Sequence, residues 1–247
     1  MTRYLFGFHA VIARLRQHAE SIREINISVA RNDRRARELM ERAQLAGVSV
    51  HHIDNRRLDE LAGNDKHQGV VALVDQSLQG QSLDEILGHA TGPPLLLLLD
   101  GVTDPHNLGA CLRSADAFAA HAVVVPKDRA VGLNPTVAKA ASGAADAVPL
   151  VTVTNLARTI RDLKERNVWV VGADASGGEN LFNADLAGPL AWVLGAEGSG
   201  LRRLTRDLCD RVVAIPLMGS VASLNVSVAV GICLFETRRQ RATHRRG

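Results

Sequence analysis

The pattern of hydrophobic and polar positions divides the chain into two parts. In the first, apolar residues recur at helical spacing in HAVIARLRQHA, RRARELMERAQLAG and RRLDELAG, whereas INISVA, VSVHHI and GVVALVD are short apolar runs typical of strands. These segments predict a small α/β domain over residues 1–75. The polar residues 76–81 and the Gly-Pro-Pro at 92–94 bracket a short helix, so we expect a linker over residues 76–94.

The second part, residues 95–247, alternates nearly continuous apolar runs with helical segments. The predicted strands are LLLLLDGV, HAVVVP, AVPLVTV, VWVVGAD, AWVLGAEG and RVVAIPL. The predicted helices are NLGACLRSADAFAA, NPTVAKAASGAAD, NLARTIRDLKERN and a long last helix that begins near Ser223. Apolar strands separated by helices are typical of a parallel sheet that is covered on both faces. The predicted fold class is therefore α/β.

Composition narrows the setting of the protein. The 247 residues are 46% hydrophobic, yet no apolar run approaches the roughly 20 residues that a membrane helix needs. The first residues, MTRYLFGFHA, lack a signal-peptide pattern, so we expect a soluble cytoplasmic protein with no membrane contact. Cys111, Cys209 and Cys233 are widely spaced within apolar stretches, which predicts reduced core thiols and neither a disulfide nor a metal site.

The positive charge is concentrated in a few places. Lys and Arg number 29 against 26 Asp and Glu, and the last ten residues hold five arginines and no acid. That tail is either a solvated end or an RNA-contacting arm. A second cluster is a candidate RNA contact because cations neutralise phosphates, although interleaved acids also fit an ordinary salt-bridged helix. The candidate RNA-binding residues are His9, Arg31, Arg34 and Arg35.

Three segments follow predicted strands, at the edge where parallel α/β sheets bind ligands. They are Asp100–Arg113 (DGVTDPHNLGACLR), Leu194–Leu201 (LGAEGSGL) and Ile215–Ser227 (IPLMGSVASLNVS). Each alone also fits a turn, a loop or a helix cap. Their glycines allow close approach of backbone to a ligand, and their Asn, Arg, Glu and Ser side chains supply hydrogen bonds and charge.

Two common nucleotide-binding classes are disfavoured. The glycines of GAEGSG are spaced G-x-x-G-x-G rather than G-x-G-x-x-G, and no acid lies about 20 residues further on to bind a ribose. A nicotinamide dehydrogenase is therefore not indicated. The chain also has no G-x-x-x-x-G-K-[ST] sequence, which argues against a P-loop nucleotidase.

Taken together, the three segments resemble the ordered motifs of the SpoU/TrmH family, which belongs to the SPOUT class of RNA methyltransferases. The matching residues are Asn107-x-Gly109-x-x-x-Arg113, Leu194-Gly195-x-Glu197-Gly198-x-Gly200, and Ile215-Pro216 followed by Ser223-Leu224-Asn225-Val226-Ser227. Leu217 and Ala222 depart from the third motif, where many relatives have Met and an acidic residue. That departure bears on the substrate and leaves the reaction class unchanged.

The N-terminal part has its own resemblance. Gly7-x-His9-Ala10-Val11 and His67-Gln68-Gly69-Val70 resemble the L30e-like substrate-binding domain of the subgroup that methylates a guanosine ribose in 23S ribosomal RNA, at the peptidyl-transferase P-loop. The resemblance implies an L30e-like domain over residues 1–75 and a SPOUT catalytic domain with a C-terminal trefoil knot over residues 95–247. It also implies a homodimer that uses S-adenosyl-L-methionine (AdoMet) and acts on 23S rRNA.

The resemblance also implies roles for individual residues. The cofactor-binding residues would be Leu194, Gly195, Ile215, Met218 and Leu224, and the catalytic residues would be Asn107, Arg113, Glu197, Ser223 and Asn225. Because a guanidinium stays protonated at neutral pH, we expect Arg113 to bind a phosphate or the developing alkoxide rather than to act as a base. His106 is an alternative proton acceptor or simply a turn residue.

Two other functions stay open at this point. A tRNA ribose methyltransferase would keep the chemistry with another substrate, although the tRNA enzymes usually carry short helical extensions in place of a full N-terminal domain. A non-catalytic rRNA-binding or ribosome-assembly protein would keep only the fold. With one Tyr, two Trp and five Phe, base stacking has little support, so we expect RNA to be held by shape and salt-sensitive phosphate contacts.

Overall fold

The chain folds into two compact units. A computed structural model describes residues 2–75, 80–198 and 200–244, and the division between the units falls after residue 79. Residues 76–79 of the expected linker and the last three residues of the basic tail lie outside the described residues. Residues 80–94 belong to the second unit, where Ile86 of a short helix is buried in the core.

The first unit is a four-stranded mixed sheet with helices. Its elements in chain order are β1 (Thr2–Phe6), α1 (Phe8–His18), β2 (Ile22–Ser28), α2 (Arg34–Leu45), β3 (Ser49–Ile53), α3 (Asn55–Ala62) and β4 (Val70–Asp75). The strand order is β1-β4-β2-β3, with β2 and β3 parallel and the other pairs antiparallel. Sequence patterning missed β1, because Leu5 alone enters the core among the side chains described for that strand, while Tyr4 and Phe6 are exposed.

The second unit is built on a seven-stranded sheet. Its strands are β5 (Leu95–Asp100), β6 (Ala122–Pro126), β7 (Leu150–Val153), β8 (Trp169–Ala173), β9 (Glu179–Asn180), β10 (Leu190–Gly195) and β11 (Arg211–Ala214). Its helices are α4 (Leu83–Gly88), α5 (Pro105–Ala117), α6 (Pro135–Ala141), α7 (Ala144–Ala147), α8 (Leu156–Glu165), α9 (Arg203–Leu208) and α10 (Val226–His244). The strand order is β7-β6-β5-β10-β8-β11-β9, and every neighbouring pair is parallel.

The predicted α/β fold class is confirmed, since this parallel sheet is buried on both faces. Within β5, Leu95, Leu97 and Leu99 enter a core formed with α5, α6 and α10, whereas Leu96 and Leu98 enter a second core formed with α8. Alternate side chains of one strand point to opposite faces, so an unbroken apolar run is what two covered faces require. The trefoil knot stays a prediction from the resemblance.

Three helices differ from the predicted elements. The helix expected over NPTVAKAASGAAD ends at Ala141, because Ser142 and Gly143 adopt left-handed conformations with φ of 53° and 91°. The short helix α9 was not predicted. The last helix begins at Val226 rather than near Ser223.

The tail arginines within α10 are bound to the protein. Arg238 donates to the carbonyl oxygens of Phe118 and Ala119, at the end of α5, over 2.6 Å each. Arg241 is buried and donates to the carbonyl oxygens of Pro93, Pro94 and Gly188. These bonds tie α10 to the end of α5 and to the segments that precede β5 and β10. This half of the basic tail is therefore part of the folded unit and not a free arm.

The thiols are also packed inside the second unit. Cys111 and Cys233 are buried, Cys209 is half-buried, and none forms a disulfide. Burial raises the pKa of Cys111 to about 12, so the predicted inert core thiol is confirmed at that position. Among the described residues, no helix is both long and apolar enough to cross a membrane.

Candidate functional site

A cavity of about 460 Å³ lies at the edge of the large sheet where the parallel strands end. Its residues come from five places: the ends of β8, β10 and β11 with the segments that follow them, helix α9, and the start of α10. They are Ala173–Ser176, Leu194–Gly198, Gly200, Leu201, Arg206, Ile215, Leu217, Ala222–Leu224, Val226 and Ala229. This is the ligand-binding edge of a parallel α/β sheet, and the volume lies in the range of small-molecule sites.

The loop after β10 folds back on itself beside the cavity. Ala196 pairs with Gly200 as an isolated antiparallel bridge, and the Gly200 amide donates to the Ala196 carbonyl over 3.0 Å. A Cβ atom at Gly195 would lie 1.9 Å from the Gly200 carbonyl oxygen. Only glycine fits that approach, so Gly195 is required for the shape of this loop.

Two carboxylates hold this loop from the neighbouring strands. Asp100, the last residue of β5, is buried and accepts from the Arg202 Nε over 2.6 Å. Asp174, directly after β8, accepts from the Leu201 amide over 3.2 Å. Because β5 and β8 lie on either side of β10, the loop over residues 196–202 is tied to both neighbours of its own strand. The hydrogen bond that Arg202 donates to Asp100 raises the pKa of Arg202.

The surroundings of Asp174 favour its ionised form. Burial raises the pKa of this carboxyl, but hydrogen bonds from the Ser176 hydroxyl and amide and from the Leu201 amide, together with the charge of Arg206, lower it below the ordinary value. Arg206 Nη1 lies 3.3 Å from Asp174 Oδ1 and donates to the Ser176 hydroxyl over 2.6 Å. A carboxylate that receives several hydrogen bonds favours its charged form.

At the cavity wall, three polar side chains from three distant segments meet. The Asn225 Nδ2 donates to Asn107 Oδ1 over 3.0 Å and lies 3.3 Å from Glu197 Oε2. The Asn107 Nδ2 lies 3.4 Å from the same Glu197 oxygen. In the sequence, Asn107 lies 118 positions from Asn225 and 90 from Glu197, and Glu197 lies 28 positions from Asn225. This junction brings together the three segments that follow β5, β10 and β11.

Asn225 also starts the last helix. Its Oδ1 accepts from the Ser227 amide over 2.9 Å and from the Ser227 hydroxyl over 2.6 Å, while α10 begins at Val226. The N-cap is therefore Asn225, where the sequence alone had suggested Ser223. Capping fixes the side-chain amide so that its nitrogen points towards Asn107 and Glu197.

The structure brings most of the predicted site residues together. Leu194, Gly195, Glu197, Ile215, Ser223 and Leu224 line the cavity, and Asn107 and Asn225 bond to Glu197. Met218 does not join them, because its side chain is 97% exposed and Leu217 lines the cavity instead. Arg113 is also outside the cavity of its own chain, exposed on α5. The side chain of His106 is exposed, and its amide donates to the α5 cap Asp104 over 3.0 Å.

Three polar cavity residues were missed from the sequence, namely Asp174, Ser176 and Arg206. A signal for Asp174 was available, since it directly follows the apolar run VWVVGA and the carboxyl end of a parallel strand is where ligands bind. Arg206 lies on α9, which the pattern did not predict, and its contact with Asp174 joins positions 32 apart. No local spacing indicates such a contact.

In the first unit, the predicted RNA-binding residues divide into two kinds. Arg31 is bound to its own protein: its Nε and Nη2 donate to the Gln68 carbonyl over 3.1 and 2.6 Å, its Nη1 pairs with Asp33 over 2.7 Å, and it lies over the Phe8 ring. His9, Arg34 and Arg35 are exposed. Arg31 is thus a structural crosslink, and only the exposed three have side chains available to a partner.

Comparisons with known proteins match both units. The model described as the SpoU rRNA Methylase family matches residues 94–235, and the model described as RNA 2'-O ribose methyltransferase substrate binding matches residues 4–79. A relative from Ralstonia nicotianae, named 23S rRNA (guanosine-2'-O-)-methyltransferase RlmB, is 58% identical over 241 residues, which cover 98% of this chain and 97% of that protein.

Solved structures resemble either nearly the whole chain or only part of it. The SpoU methyltransferase AviRb from Streptomyces viridochromogenes, crystallised with the cofactor AdoMet, has a TM-score of 0.66 and 26% identity, over 98% of this chain and 91% of its own. A TrmH/SpoU tRNA modifying enzyme from A. aeolicus has a TM-score of 0.56 and 28% identity, but it covers only 61% of this chain and 76% of its own. The similarity to the tRNA enzyme is thus confined to part of the chain.

The crosslink by Arg31 predicts a specific loss of stability in the first unit. In the Arg31→Ala variant the free energy of unfolding of the first unit should fall by about 1–2 kcal/mol, because the hydrogen bonds to Gln68 and Asp33 are removed. Hydrogen exchange of the β2 amides in urea measures the change. Arg34→Ala and Arg35→Ala are charge-matched controls, and both should stay within about 0.5 kcal/mol of the wild type. Equal losses in all three variants would contradict the crosslink.

The hydrogen bonds of Asp174 predict a pH-dependent contribution to stability. We expect Asp174→Asn to destabilise the second unit by about 1–2 kcal/mol at neutral pH. Because the folded state lowers the pKa of Asp174, this difference should be full above the ordinary carboxyl pKa and shrink as the pH falls through the lowered one. Urea unfolding from about pH 7 to about pH 3 measures it.

The control for this prediction is Asp210→Asn. Asp210 accepts from the Val170 amide over 2.8 Å and pairs with Lys164, at the opposite end of β8. In the wild type the Leu201 amide should exchange slowly, and only the Asp174 variant should speed its exchange. An unchanged Leu201 exchange rate in Asp174→Asn would show that this carboxylate does not hold the loop.

Proposed function

The chain belongs to the SpoU rRNA Methylase family, and we propose that it transfers the methyl group of AdoMet to the 2'-oxygen of a guanosine ribose in 23S rRNA, at the peptidyl-transferase P-loop. The observation that carries this proposal is the junction of Asn107, Glu197 and Asn225 beside the cavity. The substrate follows from the relative in Ralstonia nicotianae, with which the chain shares both units and nearly its whole length. We place the reaction in the cytoplasm, with its rRNA.

The cavity fits AdoMet in chemistry and shape. Leu194, Ile215, Leu217 and Leu224 give it an apolar wall. At Gly198, which also lines it, no atom lies within 4 Å of the place of a Cβ, so a ligand can approach the backbone there. We assign cofactor binding to these residues, with Leu217 in place of Met218. Bound AdoMet would supply a methyl group on a sulfonium, so the leaving group is already part of the cofactor.

The protein then has to align the ribose hydroxyl with the methyl group, and the hydroxyl proton has to leave as the new C–O bond forms. The junction makes Asn107 and Asn225 rigid, because each amide is bound at both ends. Such pre-organised side chains can orient a hydroxyl without a cost at the moment of reaction. Glu197 accepts from both amides through Oε2, and among the described residues no hydrogen bond reaches its other carboxylate oxygen, Oε1. Ser223 lines the cavity and completes this polar wall.

Arg113 does not line the cavity of its own chain. Its side chain is exposed, and among the described residues it has no hydrogen bond or ion pair. Nearby, α10 presents a stripe at helical spacing in which Val228 is 50% and Phe235 56% exposed, with Ile232 between them. Phe235 lies in edge contact with Phe118 after α5. We propose that a homodimer forms on this α5–α10 face and carries Arg113 to the partner's cavity.

The function is tested with AdoMet labelled in its methyl group and unmodified 23S rRNA. We expect one labelled ribose, mapped by its resistance to alkaline cleavage, at a guanosine of the peptidyl-transferase P-loop. Unmodified tRNA is the parallel substrate, and it should accept no methyl group. Methyl transfer to a base atom would refute the reaction class, transfer to tRNA the substrate, and AdoMet binding without any transfer would favour a non-catalytic rRNA-binding protein.

The dimer proposal predicts complementation between two inactive variants. Arg113→Ala and Asn107→Ala should each lower kcat by about two orders of magnitude, because the first removes a cation and the second a hydrogen-bonding amide from the proposed site. If Arg113 acts in the partner's site, refolding the two together should restore about a quarter of wild-type activity, since half of the dimers would be mixed with one complete site. Each variant refolded alone is the control. A mixture as inactive as its components would place Arg113 in its own chain's site.

A further inference from the structure

The second unit carries exposed cations that its fold does not use. Lys127, Arg129 and Lys139 are exposed, and within the part of the chain that the structure describes they form no hydrogen bond or ion pair through their side chains. Asp128 is the one acid beside them. By contrast, several other cations of this unit, including Arg202 and Arg206, are bound to carboxylates. Unpaired cations in a folded unit are available to a partner.

These residues lie next to the segment that carries Asn107. Lys127 directly follows β6, which neighbours β5, so it lies at the same edge of the sheet as the cavity. The loop over residues 127–134 is tied to the segment after β5, since the Val131 amide donates to the Val102 carbonyl over 3.1 Å. Arg129 itself has a left-handed backbone with φ of 61°, a conformation uncommon for a residue other than glycine.

Lys139 reaches the same region through helix packing. A Cβ atom at Gly109 would lie 2.4 Å from the Ala140 Cβ and 2.9 Å from the Ala141 nitrogen, so α5 and α6 meet almost backbone to backbone. Lys139 precedes Ala140 in α6, and Arg113 lies one turn beyond Gly109 on the same side of α5. The helix that carries Asn107 and Arg113 is thus packed directly against the helix that carries Lys139.

We infer that Lys127, Arg129 and Lys139 form a basic rim that binds the phosphates of the RNA on either side of the methylated nucleotide. This inference rests on the proposed function, which needs a ribose beside Asn107 and therefore phosphates close to it. Unpaired lysines and arginines neutralise phosphates and release counterions, which gives affinity without reading the sequence. The rim would give the catalytic unit RNA contacts in addition to those predicted from the sequence for His9, Arg34 and Arg35 of the first unit.

The test is a triple variant, Lys127→Ala with Arg129→Ala and Lys139→Ala. Its affinity for the unmodified 23S rRNA transcript should fall about tenfold or more at moderate salt, and the slope of log affinity against log salt should fall by about 2–3, one phosphate per lost cation. At saturating RNA, kcat should stay within about twofold of the wild type, because phosphate contacts position the RNA and take no part in methyl transfer. AdoMet affinity, measured by calorimetry, should also be unchanged.

Two further variants make the result decisive. Arg161→Ala with Arg166→Ala and Arg211→Ala removes the same charge from α8 and from the amino ends of β8 and β11, and it should keep wild-type affinity and slope. The exchange variant, Lys127→Arg with Arg129→Lys and Lys139→Arg, keeps the charge and should bind RNA like the wild type. Equal losses in the rim and control variants, an unchanged salt slope, or a loss of AdoMet affinity would overturn the inference. If the wild type binds the transcript without methylating it, the proposed function is refuted. The salt slopes of the wild type and the triple variant still show whether Lys127, Arg129 and Lys139 bind RNA phosphates.

Discussion

The side-chain amide of Asn225 meets two requirements at once. Its oxygen caps the first turn of α10, and its nitrogen bonds to Asn107 and Glu197. Because the cap fixes which way the amide faces, the geometry of the polar junction depends on where the last helix starts. The start of α10, the loop after β10 and the first turn of α5 are therefore held in register by one group. The cavity and its polar wall are consequences of that register.

The parallel sheet makes such a register possible. Strands that run in the same direction end at one edge, so the segments after β5, β8, β10 and β11 converge although they are distant in sequence. Three contacts then fix the loop after β10: the close approach of its own backbone at Gly195, and the hydrogen bonds that Asp100 and Asp174 accept from it. Because Asp100 ends β5 and Asp174 follows β8, the strands determine where these contacts lie and therefore where the loop lies.

Charge in this protein has two uses that composition cannot separate. Arg31, Arg238 and Arg241 donate to backbone carbonyl oxygens and hold segments of their own unit together. Arg113 and the rim of Lys127, Arg129 and Lys139 are exposed, and their side chains form no ion pair with the described residues. The first group contributes to folding and the second is available to RNA. A net charge of +3 is the sum of both and describes neither.

The sequence by itself determined the fold class, the two parts and most of the site. Strands buried on both faces must be apolar throughout, as in Leu95–Leu99, and the motif residues follow those strands at the one edge where parallel strands end. Only the tertiary structure decided which side chains meet. The bonds of Asn107 with Asn225, of Asp174 with Arg206 and of Arg31 with Gln68 join positions 118, 32 and 37 apart. Local pattern carries no information on such distances, because the partner of a polar group is set by how the elements pack.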